Sequence, residues 1–345
     1  MRALTISRHG GLEQVEYRED VDVPAIQRPN DVRVRLRAVA LNHLDLWTVG
    51  GLPGITIRPP WVLGADGAGE VDAVGDAVTT VRPGDAVFIN PGISCRECEY
   101  CRAGEQSLCV RFGILGEHHP GTFAEFVVVP QPNVRGITAD TPWEKAAAYP
   151  LVTLTAWRAC VTRAQVRAGD RVLIWGIGGG VALAALQICK MLGAHVTVTS
   201  GSDAKLERAR QLGADDTLRH DQVEVGKEVR ARTGKRGVDV VVDGVGEKTW
   251  EQSLIALGRR GRLVTFGGTS GPKLVTDVRR LFWNQWSIMG TTMGNDAEFD
   301  AITLAFRDGQ LDPIVDSVYP LEEGRAAFER MERAEQFGKI VLQIA

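Results

Sequence analysis

VLIWGIGGGVALAALQ, residues 172–187, reads as a strand, a glycine turn and a helix in immediate succession. The apolar run ends at Trp175, and Gly176, Gly179 and Ala182 then follow at three-residue spacing. Glycine permits the tight turn and lets backbone N–H groups approach a phosphate, while the helix N-terminus adds a favourable dipole for the anion. Ala182 stands where a small residue allows close helix–strand packing. A glycine pattern alone fits any strand–helix turn. Here a second strand, Val196–Thr199, ends about twenty residues later, the context a dinucleotide site requires. Gly176, Gly179, Gly180 and Val181 are therefore the expected pyrophosphate contacts.

Working outward from this turn, apolar β-branched runs alternate with helical stretches. Strands are expected at Val172–Trp175, Val196–Thr199, Asp216–Leu218, Val238–Asp243, Arg262–Phe266 and Ser287–Gly290. Helices are expected near 180–192, 203–211, 222–232, 247–257 and 276–284. Strands apolar on both faces and linked by helices imply a parallel sheet covered on both sides, hence an α/β, doubly wound Rossmann unit. The chain before residue 150 reads differently. In Asp31–Leu41 Val32, Val34, Leu36 and Ala38 alternate with Arg33, Arg35 and Arg37, a half-buried strand. More strands are expected at 68–74, 85–90 and 123–129, between turns such as Pro83-Gly84-Asp85. The expected division is 1–151, completed by 293–345 with a helix at 295–308 and a strand at 340–344, and 152–292.

The end of the second strand bears on cofactor choice. An NAD site usually places Asp or Glu there for the ribose hydroxyls. This chain has Thr199-Ser200-Gly201-Ser202 instead, with Lys205 one helical turn further. No carboxylate repels a 2′-phosphate and hydroxyl donors are at hand, so NADP(H) is expected, with Ser200 and Lys205 as contacts. Asp203 follows the loop glycine and reads as a helix N-terminal residue.

Four of the six cysteines fall within GISCRECEYCRAGEQSLC, residues 92–109, as C-x2-C-x2-C-x7-C. Thiolates of Cys95, Cys98, Cys101 and Cys109 can close a tetrahedron around Zn²⁺ with no position left for water, a structural site rather than a catalytic one. The same spacing suits an iron–sulfur cluster. Cys160 and Cys189 lie in apolar helical stretches and read as small core residues. Clustered cysteines, a start without an apolar leader and no long uncharged apolar run point to a reducing, cytoplasmic setting. A net charge of −3 provides no global field for nucleic acid or an anionic membrane, and the expected partner is a small-molecule substrate.

Together the strand-rich start, the four-cysteine lobe, GIGGGVA at 176–182 and QFGKIVLQI at 336–344 resemble the medium-chain dehydrogenase/reductase superfamily along nearly the whole chain. The resemblance implies a GroES-like β-barrel completed by the C-terminal segment, a Rossmann domain, and a homodimer or homotetramer, with dimers formed through the strand near Ser287–Thr291. It also carries Lys339 into the cofactor set. Zinc-dependent alcohol dehydrogenases of this superfamily hold catalytic zinc with a Cys, a His in Gly-His-Glu, and a second Cys. In this chain Asn42 (in LNHLDLW), Ala65 (in Gly64-Ala65-Asp66) and the Leu151 region (in YPLVTLTAW) stand at those places. Leu44 replaces the hydroxyl residue that relays protons.

Asn42 and Asp45 resemble instead the quinone oxidoreductases and related enoyl reductases, which use NADPH and no catalytic metal but commonly lack the cysteine lobe. The expected activity is hydride transfer from NADPH to a quinone or an activated C=C bond. Asn42 and His43 are expected as donors to the developing oxyanion, Asp45 as their orienting partner, and Trp47, Asn90 and Trp283 as pocket wall. His43 alternatively contacts the pyrophosphate, and His118 lies on a loop of LGEHHPGTFAEF, residues 115–126. The competing readings are a zinc alcohol dehydrogenase with ligands such as Asp66 and His43, and an NADPH-binding sensor without catalysis.

Overall fold

The computed structural model describes all 345 residues. They form two compact units, Met1–Leu151 with Gly294–Ala345, and Val152–Met293. No helix is long and apolar enough to cross a membrane.

The first unit is built on the strand Asp31–Ala40, whose alternation decides its two faces. Val32, Val34, Leu36 and Ala38 are buried. On the other face Arg33 and Arg37 pair with Asp72 and Glu70 of the neighbouring strand Asp66–Val74, at 2.6 and 3.0 Å. Asp31–Arg35 also pairs with Phe126–Pro130, whereas Ala38–Ala40 pairs with the C-terminal strand Lys339–Gln343. This change of partner along one strand brings the far end of the chain into the GroES-like sheet, ordered Val134–Gly136, Ala86–Ile89, Asp66–Val74, Asp31–Ala40, Lys339–Gln343, Val315–Pro320. A core of Leu4, Ile6, Leu36, Leu63, Ile89, Phe123 and Phe328 lies against it.

The second unit is a six-stranded parallel sheet in the order Asp216–Arg219, His195–Ser200, Arg171–Ile174, Val238–Asp243, Leu257–Thr265, Ser287–Gly290. Chain order reverses at Arg171–Ile174, so the crevice between the C-terminal ends of that strand and Val238–Asp243 is the switch point of the α/β sheet. The helices are Gly180–Met191, Asp203–Gln211, Val225–Arg232, Glu247–Ala256 and Val278–Asn284. Several starts differ from the expected ranges. The helix expected from 276 begins at Val278 because the Asp277 carboxylate accepts from Arg279 N at 2.9 Å, an N-cap. The strand expected from 262 begins at Leu257, directly after a helix, with Arg260 at φ +59° and a register shift where it joins Val238–Asp243. A six-residue π-helical segment, Arg158–Arg163, has no signature in the sequence pattern.

Gly64 leads into the strand that begins at Asp66. Its φ is +94°, and a Cβ there would lie 2.0 Å from the Phe123 ring, itself fully buried. Gly64→Ala should therefore destabilise the protein by on the order of 3 kcal/mol, combining left-handed strain with overpacking. Urea denaturation should show a lower midpoint at unchanged slope. A loss under about 1 kcal/mol would mean that the ring and backbone relax freely, against this packing.

Candidate functional site

The glycine turn has the geometry of a phosphate cradle. Gly176 and Gly178 take φ +68° and +127°, conformations that side chains disfavour, and Gly179 is the N-cap of Gly180–Met191. The turn is tied to the second strand, since Gly176 N donates to Thr199 Oγ1 at 3.1 Å and Ile177 N to Thr199 O at 2.8 Å. A Cβ on Gly179 would meet nothing nearer than Gly176 O at 3.8 Å, so packing within the protein does not demand glycine there. The space it leaves open lies at a helix start, where the first turn's N–H groups, Gly180 and Val181 among them, have no intrahelical acceptor. The residues present fit a dinucleotide pyrophosphate.

Beside the turn, Ser200 is buried and its Oγ accepts from Ser202 N at 3.1 Å. Ser202 caps the next helix through Lys205 N, which places Lys205 in that helix's first turn. Asp203 is the first helical residue, as the sequence implies. Two neighbours escaped the sequence reading. Arg219 is the parallel-strand partner of Ser200, and its guanidinium bonds Asp203 and Asp221 at 2.5 and 2.7 Å. His220 Nε2 lies 3.4 Å from where a Cβ on Gly201 would stand. The signal was the Arg-His-Asp run at the end of the third strand.

In the cysteine lobe the four Sγ atoms lie within 4.8 Å of one another, with Cys95 and Cys101 at 3.9 Å. A tetrahedron with Zn–S bonds of about 2.3 Å has edges of about 3.8 Å, so small movements close the sulfurs on one ion. Backbone N–H groups point at the sulfurs: Cys95 N and Arg111 N at Cys109 Sγ (3.2 and 3.3 Å), Cys98 N at Cys95 Sγ (3.4 Å). Tyr100, Leu108 and Val110 are exposed, so the lobe has little apolar core of its own. Arg96 anchors it through Asp296, the first residue of the helix Asp296–Arg307. The donor set fits a structural zinc.

The segment expected to carry chemistry forms the N-terminus of the helix His43–Gly50, with Asn42 as N-cap. The Asn42 amide nitrogen donates to Asp66 Oδ2 at 2.9 Å and to Ala40 O at 3.3 Å, and its carbonyl accepts from Lys339 Nζ. Lys339 Nζ also reaches Asp66 Oδ2 at 2.9 Å, while Leu151 N donates to Asp66 Oδ1 at 2.9 Å. Asp66 and Lys339 are 0% and 3% exposed. Two expectations change on this geometry. Both Asn42 amide hydrogens are committed, so the side chain has none to offer an oxyanion. Lys339 is an internal cation, turned onto Asp66 and Asn42 rather than presented to a nucleotide. Asp66 Oδ2 is taken by Lys339 and Asn42, Oδ1 accepts from Leu151 N, and Ala65 and Leu151 offer no side-chain donor, so these residues do not fit a catalytic zinc.

His43 is exposed, with its ring edge-on to Trp47 at 5.1 Å between centroids. Asp45 is buried and accepts from Asn42 N at 2.7 Å, orienting the helix start rather than His43. Asn90 is buried as a loop brace, its Oδ1 accepting from Gly92 N at 3.0 Å, and Trp283 is 74% exposed, so neither supplies the expected wall. His118 Nδ1 accepts from Ile114 N at 3.3 Å within its own loop. Cys160 and Cys189 are buried with sulfurs 3.7 Å apart.

Comparison with known proteins agrees with this architecture. Residues 28–138 match the alcohol dehydrogenase GroES-like domain, and residues 180–307 the zinc-binding dehydrogenase family. A zinc-type alcohol dehydrogenase-like protein of Schizosaccharomyces pombe is 30% identical over 97% of this chain and 96% of its own length. Human quinone oxidoreductase is 27% identical over 96% and 94%. A solved structure of an NAD-dependent alcohol dehydrogenase is 44% identical, with a TM-score of 0.95 and full coverage of both chains.

Asp45 yields a test of the helix start. Burial pushes its carboxyl up from 3.8 to about 7, although the Asn42 N–H and the Lys339 charge both favour the anion. Between those values the folded chain keeps a proton that the unfolded chain has released, so stability falls as pH rises through this window. Asp45→Asn keeps the acceptor oxygen and removes the titration. Its stability, from denaturation at pH 5 and pH 7, should decline less with pH than the parent's, by up to about 1.4 kcal/mol per pH unit. Parallel curves would show that Asp45 does not titrate there.

Proposed function

The chain belongs to the medium-chain dehydrogenase/reductase superfamily of oxidoreductases, and from that premise we propose that it is an NADP(H)-dependent reductase that passes hydride to a quinone or an activated C=C bond without catalytic metal. The observation that carries this reading is the state of Asp66. The one carboxylate at the position of the usual metal-binding motif is buried on an internal ammonium, and its neighbours in the ligand set are Asn42, Ala65 and Leu151. A simple alcohol needs a Lewis acid and a proton path, and Leu44 interrupts the usual path. An enone or a quinone carries its own electron-withdrawing group, so positioning and hydrogen bonding suffice.

When bound, the dihydronicotinamide ring supplies the hydride. Gly176, Gly179, Gly180 and Val181 would hold the pyrophosphate on backbone N–H groups, and Ser200 and Lys205 would receive the 2′-phosphate. His43, exposed at a helix N-terminus and without a hydrogen bond on either ring nitrogen, donates from neutral imidazole to the oxygen that gains charge. Asn42, Asp45, Asp66 and Lys339 hold His43 by fixing the first turn of its helix. The enolate or hydroquinone anion then takes a proton from water. Cys95, Cys98, Cys101 and Cys109 bind one zinc that stabilises their lobe, in keeping with a reducing, cytoplasmic setting. The chain assembles as a homodimer or homotetramer through the edge strand Ser287–Gly290, beside which Val278, Phe282 and Trp283 are exposed.

Cofactor preference is the first test. With one acceptor, kcat/KM should favour NADPH over NADH, and Ser200→Asp should move the preference toward NADH. A several-fold preference for NADH in the unaltered protein would overturn the NADP(H) assignment, in the direction that the NAD-dependent relative indicates.

Metal dependence is the second. Reduction of enones or quinones should continue at full rate after accessible metal is chelated with the four-cysteine site intact. His43→Ala should lower kcat about tenfold or more, the usual scale for losing one donor to a developing oxyanion, with little change in NADPH affinity. Chelation that abolishes turnover, or robust oxidation of simple alcohols, would favour instead a zinc alcohol dehydrogenase with atypical ligands; the 44%-identical structure is of an NAD-dependent alcohol dehydrogenase.

A further inference from the structure

Opposite the glycine turn, across the switch-point crevice, the strand Val238–Asp243 ends in a carboxylate with no obvious reason to be there. Asp243 is 0% exposed and no lysine or arginine pairs with it. Four donors converge on it instead. Val245 N and Gly246 N reach Oδ1 at 2.8 and 3.1 Å, the Thr249 hydroxyl reaches Oδ1 and Oδ2 at 2.9 and 2.8 Å, and Ser253 Oγ reaches Oδ2 at 2.8 Å. A buried anion without a cation is costly unless its lone pairs are filled, and here they are filled by the loop and the helix that follow it.

Two arms run from this carboxylate to the glycine turn. In the first, Asp243 holds the backbone of Val245, whose Cγ2 stands 3.8 Å from where a Cβ on Gly176 would be, so this side chain forms the facing lip of the turn. In the second, Ser253 Oγ accepts from the indole nitrogen of Trp175 at 2.8 Å, and Trp175 immediately precedes Gly176. The loop is clasped from its far side as well, since Ser270 N and Oγ both donate to Val245 O, at 2.9 and 2.7 Å. The carboxylate thus sets the width of the crevice at the point where the pyrophosphate must pass.

We propose that Asp243 is a positioning residue for the dinucleotide, acting through Val245 and through Ser253–Trp175 to fix the wall against which the nicotinamide half lies. The direction follows from strand order. The adenosine end belongs at Ser200, on the strand to one side of Arg171–Ile174, and Val238–Asp243 lies on the other side. What extends past the pyrophosphate therefore crosses the Asp243 loop, whereas the adenosine half does not touch it. This inference rests on the dinucleotide reading of the glycine turn and adds a residue to it.

Asp243→Asn keeps the volume but presents an NH₂ group to some of the four donors. Ser253→Ala leaves the carboxylate in place with one donor fewer and cuts the arm to Trp175, so it decides the matter where the first variant does not fold. Binding of NADPH and of 2′,5′-ADP, which carries only the adenosine half, is measured on each full-length folded variant by calorimetry. NADPH affinity should fall about tenfold or more while 2′,5′-ADP binds as in the parent, the scale expected for losing one buried charge-assisted hydrogen bond. Equal losses for both ligands would indicate general damage to the unit and overturn the positioning role, as would no loss for either. A parent chain that binds neither NADPH nor NADH would overturn the dinucleotide reading itself, a different result from either of these.

Discussion

The ion pair between Lys339 and Asp66 is the contact on which the first unit's chemistry turns. It joins the C-terminal strand to the strand Asp66–Val74 and, through Asn42, to the start of the helix His43–Gly50. Charges this deeply buried are tolerated when they are paired and hydrogen-bonded, and removing one member typically costs about 3–5 kcal/mol. Asp66 meets the condition with Lys339, Asn42 and Leu151 N, and Asn42 has no amide hydrogen left over. The same ammonium that makes the buried carboxylate tolerable stands where a metal ion would, so the packing of this unit and its proposed chemistry have one cause.

The second unit follows a parallel logic with an anion and no cation. Asp243 is satisfied by backbone and hydroxyl donors alone. It joins the two strands that flank the switch point, while Thr199 joins the glycine turn to the strand that ends at Ser200. The glycine turn is therefore held from both sides by buried polar groups, and glycine keeps the space at the helix start open. On the proposed reading two cofactor roles separate by residue: the turn would hold the pyrophosphate of either nicotinamide dinucleotide, and Ser200 with its surroundings would bear on which one.

Much of this was legible in the sequence because it is written in local pattern. The six Rossmann strands follow from apolar β-branched runs, the first unit's main strand from Val–Arg alternation, and the cysteine lobe from spacing. What sequence could not supply were contacts between distant positions. Lys339 and Asn42 are 297 residues apart, and nothing near either predicts that they meet. That meeting removes Asn42 as an oxyanion donor and Lys339 as a nucleotide contact. Asn90 and Trp283 went astray for a related reason, since residue type alone does not reveal whether a side chain in a loop or on a short helix is buried or exposed. Asp243 did leave a trace, an acid ending the otherwise apolar run VVVD before Gly-Val-Gly.

The most direct test of metal-free hydride transfer is zinc quantification combined with X-ray absorption on the active, full-length protein. The account predicts about one zinc per chain with four sulfur neighbours at about 2.3 Å and no nitrogen or oxygen shell. A second zinc per chain with mixed nitrogen and oxygen ligands, lost together with activity, would contradict it.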